Sequence, residues 1–142
     1  MHAGRAFGAG VIGALVLAGS MGLMNAGGIP IHIERSLAQM FGAQAWVLGF
    51  IVYLIVGGLV GLIYGGLFEV INQGGIGPGL FIGAVHSVFA GFIWAMVNGP
   101  GRFWWNFGET GVALLFLLHL TFGAIVGALY RPVHALQPDL QY

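Results

Sequence analysis

The chain has no cysteine and very little charge. Of its 142 residues, four are Lys or Arg and four are Asp or Glu, so 6% are charged. A soluble domain carries about 25%, and a water-facing surface cannot be covered with so few. The missing basic stripe excludes nucleic acid as a partner. The missing thiols exclude disulfides, Cys-ligated zinc and iron–sulfur clusters. What is present in quantity is apolar: 58% of residues are hydrophobic, 27 are glycine, and the mean hydropathy is +0.95. That combination belongs to a protein whose solvent is the lipid bilayer.

A helix needs roughly 20 mostly apolar residues to cross the hydrocarbon. Four stretches qualify: about 6–24, 45–68, 79–97 and 111–130. No Asp, Glu, Lys or Arg lies inside them. Arg5, Glu34, Arg35, Glu69, Arg102, Glu109, Arg131 and Asp139 all fall at ends or in loops. Turn-forming residues separate the spans: Asn25 to Pro30, Asn72 to Pro78, and Asn98 to Gly101. Pro30 can open a short helix over about 31–42, with Ile33, Leu37, Met40 and Phe41 opposite Glu34, Arg35 and Gln39. It is too short and polar to cross, so it is expected to lie in the headgroup region. The first span has the look of a secretory signal, with one Arg, an apolar run and then small residues; we read it as a retained span. The whole, 1–142, is then a single membrane domain with both termini on one side. The positive-inside rule leaves orientation open, because Arg5 and Arg131 balance Arg35 and Arg102.

Aromatics mark the two faces. Trp46, Trp94, Trp104 and Trp105 map opposite the termini, while Tyr64 and Tyr130 map to the terminal side. Amphipathic rings favour the membrane interface, so the tryptophan rim, densest at Phe103 to Phe107, reads as an anchor or as a docking surface for a subunit or lipid.

Glycine placement is more telling than glycine number. Positions four apart read Ala6, Gly10, Ala14, Ala18, Gly22 and Ala26 in the first span. The second gives Ala45, Gly49, Tyr53, Gly57, Gly61 and Gly65; the third, Gly79, Gly83, Ser87, Gly91, Ala95 and Gly99; the fourth, Gly111, Leu115, His119, Gly123 and Gly127. Burying apolar surface does not drive helices together in lipid, whereas close backbone approach does. These rows are therefore the expected helix-packing faces, with right-handed crossings near −40°.

The chain also looks duplicated. Tyr53, Gly57, Gly61 and Tyr64 in the second span repeat the spacing of His119, Gly123, Gly127 and Tyr130 in the fourth. Two hairpins of the same orientation make a parallel repeat about an axis along the membrane normal. The expected fold is an all-α integral membrane four-helix bundle: two parallel-repeat hairpins plus a short interfacial amphipathic helix.

His or an aromatic, then Gly-x3-Gly-x2-Tyr, in alternate spans, with a proline-led amphipathic segment after the first span, resembles an uncharacterised bacterial family of small, glycine-rich, four-span integral membrane proteins. The resemblance covers most of the chain. Where this chain has Tyr53, the family's second span often has histidine. The resemblance implies a fold and a bacterial inner (cytoplasmic) membrane; the family has no assigned activity to carry over.

Two ionisable side chains fall within the spans, His86 and His119, and an intramembrane ionisable group is a functional hypothesis by default. Their depths match within the error of the span boundaries, so a pair on adjacent helices is open. A pair can axially ligate a b-type haem, hold a copper ion or pass a proton. Two considerations weigh against haem: glycine rows imply backbones too close for a porphyrin, and His86 lies one residue off its row and points roughly 100° away. The plainer account is a neutral imidazole bonded across the helix interface, with Ser87, Thr121 and Tyr53 as available partners. His2, His32 and His134 are expected to be solvated, as are Glu69 and Glu109 at span ends. No nucleophile–base–acid set, phosphate loop or paired carboxylate occurs, so the chain is not expected to be an enzyme. The leading expectation is a non-catalytic accessory or scaffold subunit packing against other membrane subunits through glycine-rich faces. The alternatives are a small transporter or channel as a homo-oligomer, or a haem-binding membrane anchor using His86 and His119.

Overall fold

The computed structural model describes residues 1–29, 33–40, 42, 45–98 and 108–132. It is an all-helical bundle of α1 (Ala3–Ala26), α2 (Ile33–Met40), α3 (Trp46–Ile71), α4 (Ile76–Asn98) and α5 (Gly108–Leu129). Four of these, all but α2, are long and apolar enough to cross a membrane, which makes this a multi-pass membrane protein. Large apolar side chains such as Leu23, Val70, Phe81 and Met96 point outward. That surface would be a liability in water and is the normal one in lipid.

Helix ends follow local chemistry. At the end of α1, Gly28 takes a positive φ of 88°, its N–H donates to the Asn25 carbonyl and that of Ile29 to the Met24 carbonyl. This Schellman arrangement satisfies carbonyls that the helix leaves over. The same pattern closes α3, where Asn72 (φ 51°) donates to Glu69 and Gln73 donates to Phe68. The break between the second and third spans is therefore Asn72 to Gly75. Pro78, expected as part of the breaker, sits in the first turn of α4 instead, where its missing N–H has no intrahelical partner to lose. Gly75, at φ 106°, accepts from the Gly79 N–H at 3.1 Å and donates its own N–H to the Gly127 carbonyl at 2.9 Å. The start of α4 is thereby tied to the end of α5.

Packing is organised in two pairs, α1 with α3 and α4 with α5, joined mainly through α1 and α5; α3 meets the second pair only sparsely. In the first pair, a methyl group added at Gly10 would stand 2.8 Å from Gly61 Cα, and one added at Gly57 2.5 Å from Ala14 Cβ. In the second, a methyl at Gly123 would stand 3.0 Å from Gly83 Cα, and one at Gly79 3.2 Å from Gly127 Cα. No larger side chain fits while the backbones stay where they are. Between the pairs, the Phe122 ring lies over Gly13, 2.9 Å from where a methyl would be.

The short α2 packs on α3. Among its described side chains, Ala38 is buried, Leu37 half-buried, and Arg35 and Gln39 exposed. Of the expected two-faced segment, Pro30 and Phe41 lie outside the described residues, as do the side chains of Ile33, Glu34 and Met40.

Candidate functional site

The centre of the bundle holds a cluster of aromatic rings among its aliphatic residues. Tyr64 and Phe68 of α3, Phe122 and Val126 of α5, and Tyr130 just beyond α5 are all buried. Tyr64 meets Phe68, His86 and Phe122 edge-on at ring-centroid distances of 6.2, 5.7 and 5.5 Å, and Phe68 stacks on Tyr130 at 6.1 Å.

The two intramembrane histidines meet there. Their rings contact edge to face at 4.8 Å between centroids. The Tyr64 hydroxyl lies 3.1 Å from His86 Nδ1. His119 Nδ1 lies 2.7 Å from the Leu115 carbonyl of its own helix; a carbonyl can only accept, so this nitrogen carries the proton. His86 and His119 border a partly open cavity of about 180 Å³, together with Leu17 and Met21 of α1 and Tyr53 of α3. His86 lies ten residues into α4, about 15 Å along the axis, so the cavity is near the middle of that helix.

Several expectations change here. Tyr64 and Tyr130 do not sit as interface rings: both are buried, because each hydroxyl finds a protein partner and the ring can leave the headgroups. Tyr64 is the interhelical partner of His86. Of the three available partners, Ser87, Thr121 and Tyr53, the first two bond within their own helices, to Ala84 and Leu117, and Tyr53 borders the same cavity. His86, though one residue off its row, nonetheless contacts His119. Glu69 is not simply solvated. It accepts from the Tyr130 hydroxyl at 2.5 Å and lies 3.7 Å from the N-terminal amine, its side chain 16% exposed. An anion in the last turn of α3 opposes the helix dipole, and these two contacts offset that. The backbone N–H of His2 also donates to the Tyr130 oxygen, at 3.2 Å. Burial, and then the Glu69 contact, push the Tyr130 phenol above its ordinary value.

Among the expected packing residues, Gly10, Gly57, Gly61, Gly83, Ser87, Gly91, Gly123 and Gly127 are buried, with Tyr53 and His119 half-buried. Gly22 is the exception: it is exposed, with nothing within 4 Å of its Cβ position. A row of period four drifts about 40° per step, and by Gly22 it has left the face that Ala6 and Gly10 present to α3. Trp46 is exposed and its ring lies 6.5 Å from Phe50; with Gly22, Asn25 and Tyr53 it borders a second groove of about 160 Å³. The side chains of Trp94 and Glu109, all of Trp104 and Trp105, and His32 and His134 lie outside the described residues, so of the tryptophan rim the structure describes Trp46.

The two pairs superpose residue on residue by their contacts. Gly57 lies against Gly10 and Ala14 as Gly123 lies against Gly79 and Gly83. Continuing that register, His86 is the counterpart of Leu17, and His119 of Tyr53. All four border the one cavity, and polarity is concentrated on the side of the second pair. Among the described residues no three His, Cys, Asp or Glu are grouped to hold a metal. A porphyrin does not fit between two rings already in contact, and the cavity is below the ~300 Å³ at which ligand pockets of drug size begin.

No protein-family model, no curated protein and no solved structure matches the chain. What the site can do is therefore argued from its own geometry.

Proposed function

We propose that this chain is a non-catalytic accessory subunit of a larger membrane complex in the bacterial inner membrane, held to its neighbour by the outer flank of α1. The observation that carries the reading is the state of the α1 glycines. Gly10 and Gly13 face inward against α3 and α5, whereas Gly4, Gly8 and Gly19 have nothing within 4 Å. At about 100° per residue these three, with Leu15 among them, fall within roughly 60° of arc, opposite the face that packs on α3. Glycine in a helix interior costs about 1 kcal/mol relative to alanine. Against lipid it returns nothing, but against another helix it permits close approach.

The test is purification from membranes in mild detergent. A partner that co-purifies with the wild type and is lost from the Gly8→Leu/Gly19→Leu variant, the variant keeping its helical circular dichroism, supports the reading. A solitary monomer for the wild type sinks it. A second reading, handling of protons or a small solute, is favoured by the His86–His119 contact; unchanged flux in proteoliposomes after His119→Ala would remove it.

A further inference from the structure

The cavity beside the histidines is independent of that outer flank and has its own chemistry. Its volume, about 180 Å³, slightly exceeds the ~150 Å³ apolar cavity known to accept benzene, so it suits one substituted six-membered ring. Leu17, Met21, Leu118 and Phe122 supply apolar walls, and His86, His119 and Tyr53 supply the polar part. None of these side chains is a carboxylate, Lys or Arg, which favours a neutral ligand. His86 Nδ1 lies 3.1 Å from the Tyr64 hydroxyl; taking the hydroxyl as donor, the arrangement that gives its buried proton an acceptor, the imidazole proton sits on Nε2, and Nε2–H is a donor toward a ligand. A donor at the edge of a ring-sized apolar slot calls for a carbonyl oxygen. The cavity is partly open, and α3 meets the α4–α5 pair only sparsely.

We propose that this cavity binds the single-ring head group of a neutral, membrane-dissolved carbonyl compound of the benzoquinone class, with His86 as hydrogen-bond donor to one carbonyl and Leu17 and Phe122 against the ring. The proposal concerns binding and includes no electron transfer.

The protein in nanodiscs is titrated with a decyl-substituted benzoquinone, following intrinsic fluorescence and, in a ¹⁵N-histidine sample, the His86 ring signals. Saturable binding with a shift at His86 Nε2 is expected, and His86→Leu should weaken it about tenfold, the worth of one hydrogen bond. Leu17→Trp, which fills the cavity, should abolish it. A two-ring naphthoquinone with the same tail should bind at least tenfold more weakly. Linear, unsaturable partitioning, or saturable binding that leaves the His86 signals unmoved, overturns the proposal. So does equal affinity for the two-ring compound. The ring-nitrogen readout is taken on the wild type, so it decides the matter even where a variant fails to fold. Loss of a co-purifying partner bears only on the outer flank and leaves this result untouched.

Discussion

The α1–α3 pair and the α4–α5 pair are built on the same backbone contacts and differ in what they present to the centre. Glycine stands against glycine or alanine in both: Gly10 and Ala14 with Gly57 and Gly61, Gly79 and Gly83 with Gly123 and Gly127. At the positions one turn further in, the first pair offers Leu17 and Tyr53, and the second offers His86 and His119. The lesson is a division of labour. Close contact is a property of backbone and needs glycine in both halves, whereas polarity in lipid is costly and is concentrated in one.

The tyrosines show the same contrast. Tyr64 and Tyr130 occupy equivalent places, but Tyr64 bonds a ring nitrogen deep in the bundle, whereas Tyr130 bonds the carboxylate of Glu69 at the bundle's end.

The comparison can be broken most severely at its shared feature. Gly61→Val and Gly127→Val should each destabilise the bundle by about 3 kcal/mol or more, since both force backbones apart and overpacking costs roughly 1–3 kcal/mol even where neighbours can yield. Reversible unfolding in mixed micelles, followed by circular dichroism, measures it. A large loss at one position and none at the other would mean the halves are not equivalent.

Next come the tyrosines. Tyr130→Phe removes a hydrogen bond to a charged group and should cost about 1.5–3 kcal/mol. Tyr64→Phe removes a neutral one inside the membrane and should cost about 0.6–1.7 kcal/mol. The reverse order in the same assay would invalidate the assignment of partners.

A smaller effect is set by pH. Because the Tyr130 phenol is raised above its ordinary 10.0, the folded state holds that proton more tightly than the unfolded one. Its contribution is complete below about pH 10 and declines as pH rises beyond it. The decline should be shallower in Tyr130→Phe than in the wild type. Smallest of all is Gly19→Ala on the open flank of α1, expected within about 0.5 kcal/mol for the isolated chain, against a clear loss for Gly10→Ala on the inner flank.

Much of this architecture is readable without coordinates. The spans, their number and their approximate ends follow from apolar runs and from Asn and Gly turn signals, because the bilayer admits few backbone solutions. The spacing shared by Tyr53–Tyr64 and His119–Tyr130 marks the repeat. What eluded the sequence is direction and partnership. Tyr64 and Tyr130 look like interface rings by composition, yet both turn inward. Glu69 looks like a solvated end-of-helix charge, yet it joins α3 to the N-terminus and to the end of α5. Gly22 belongs to its row by spacing, but the row has rotated off the contact face by that point.

Apolar length and glycine spacing on their own determine that this chain is a multi-pass helical membrane protein with two similar halves, since hydrophobicity and helical period are local properties. Whether His86 and His119 touch, which hydroxyl reaches them, and that a ring-sized cavity lies beside them were decided only by how the two pairs pack. Those contacts join residues far apart in the chain, and the angles between helices, which no local pattern encodes, bring them together.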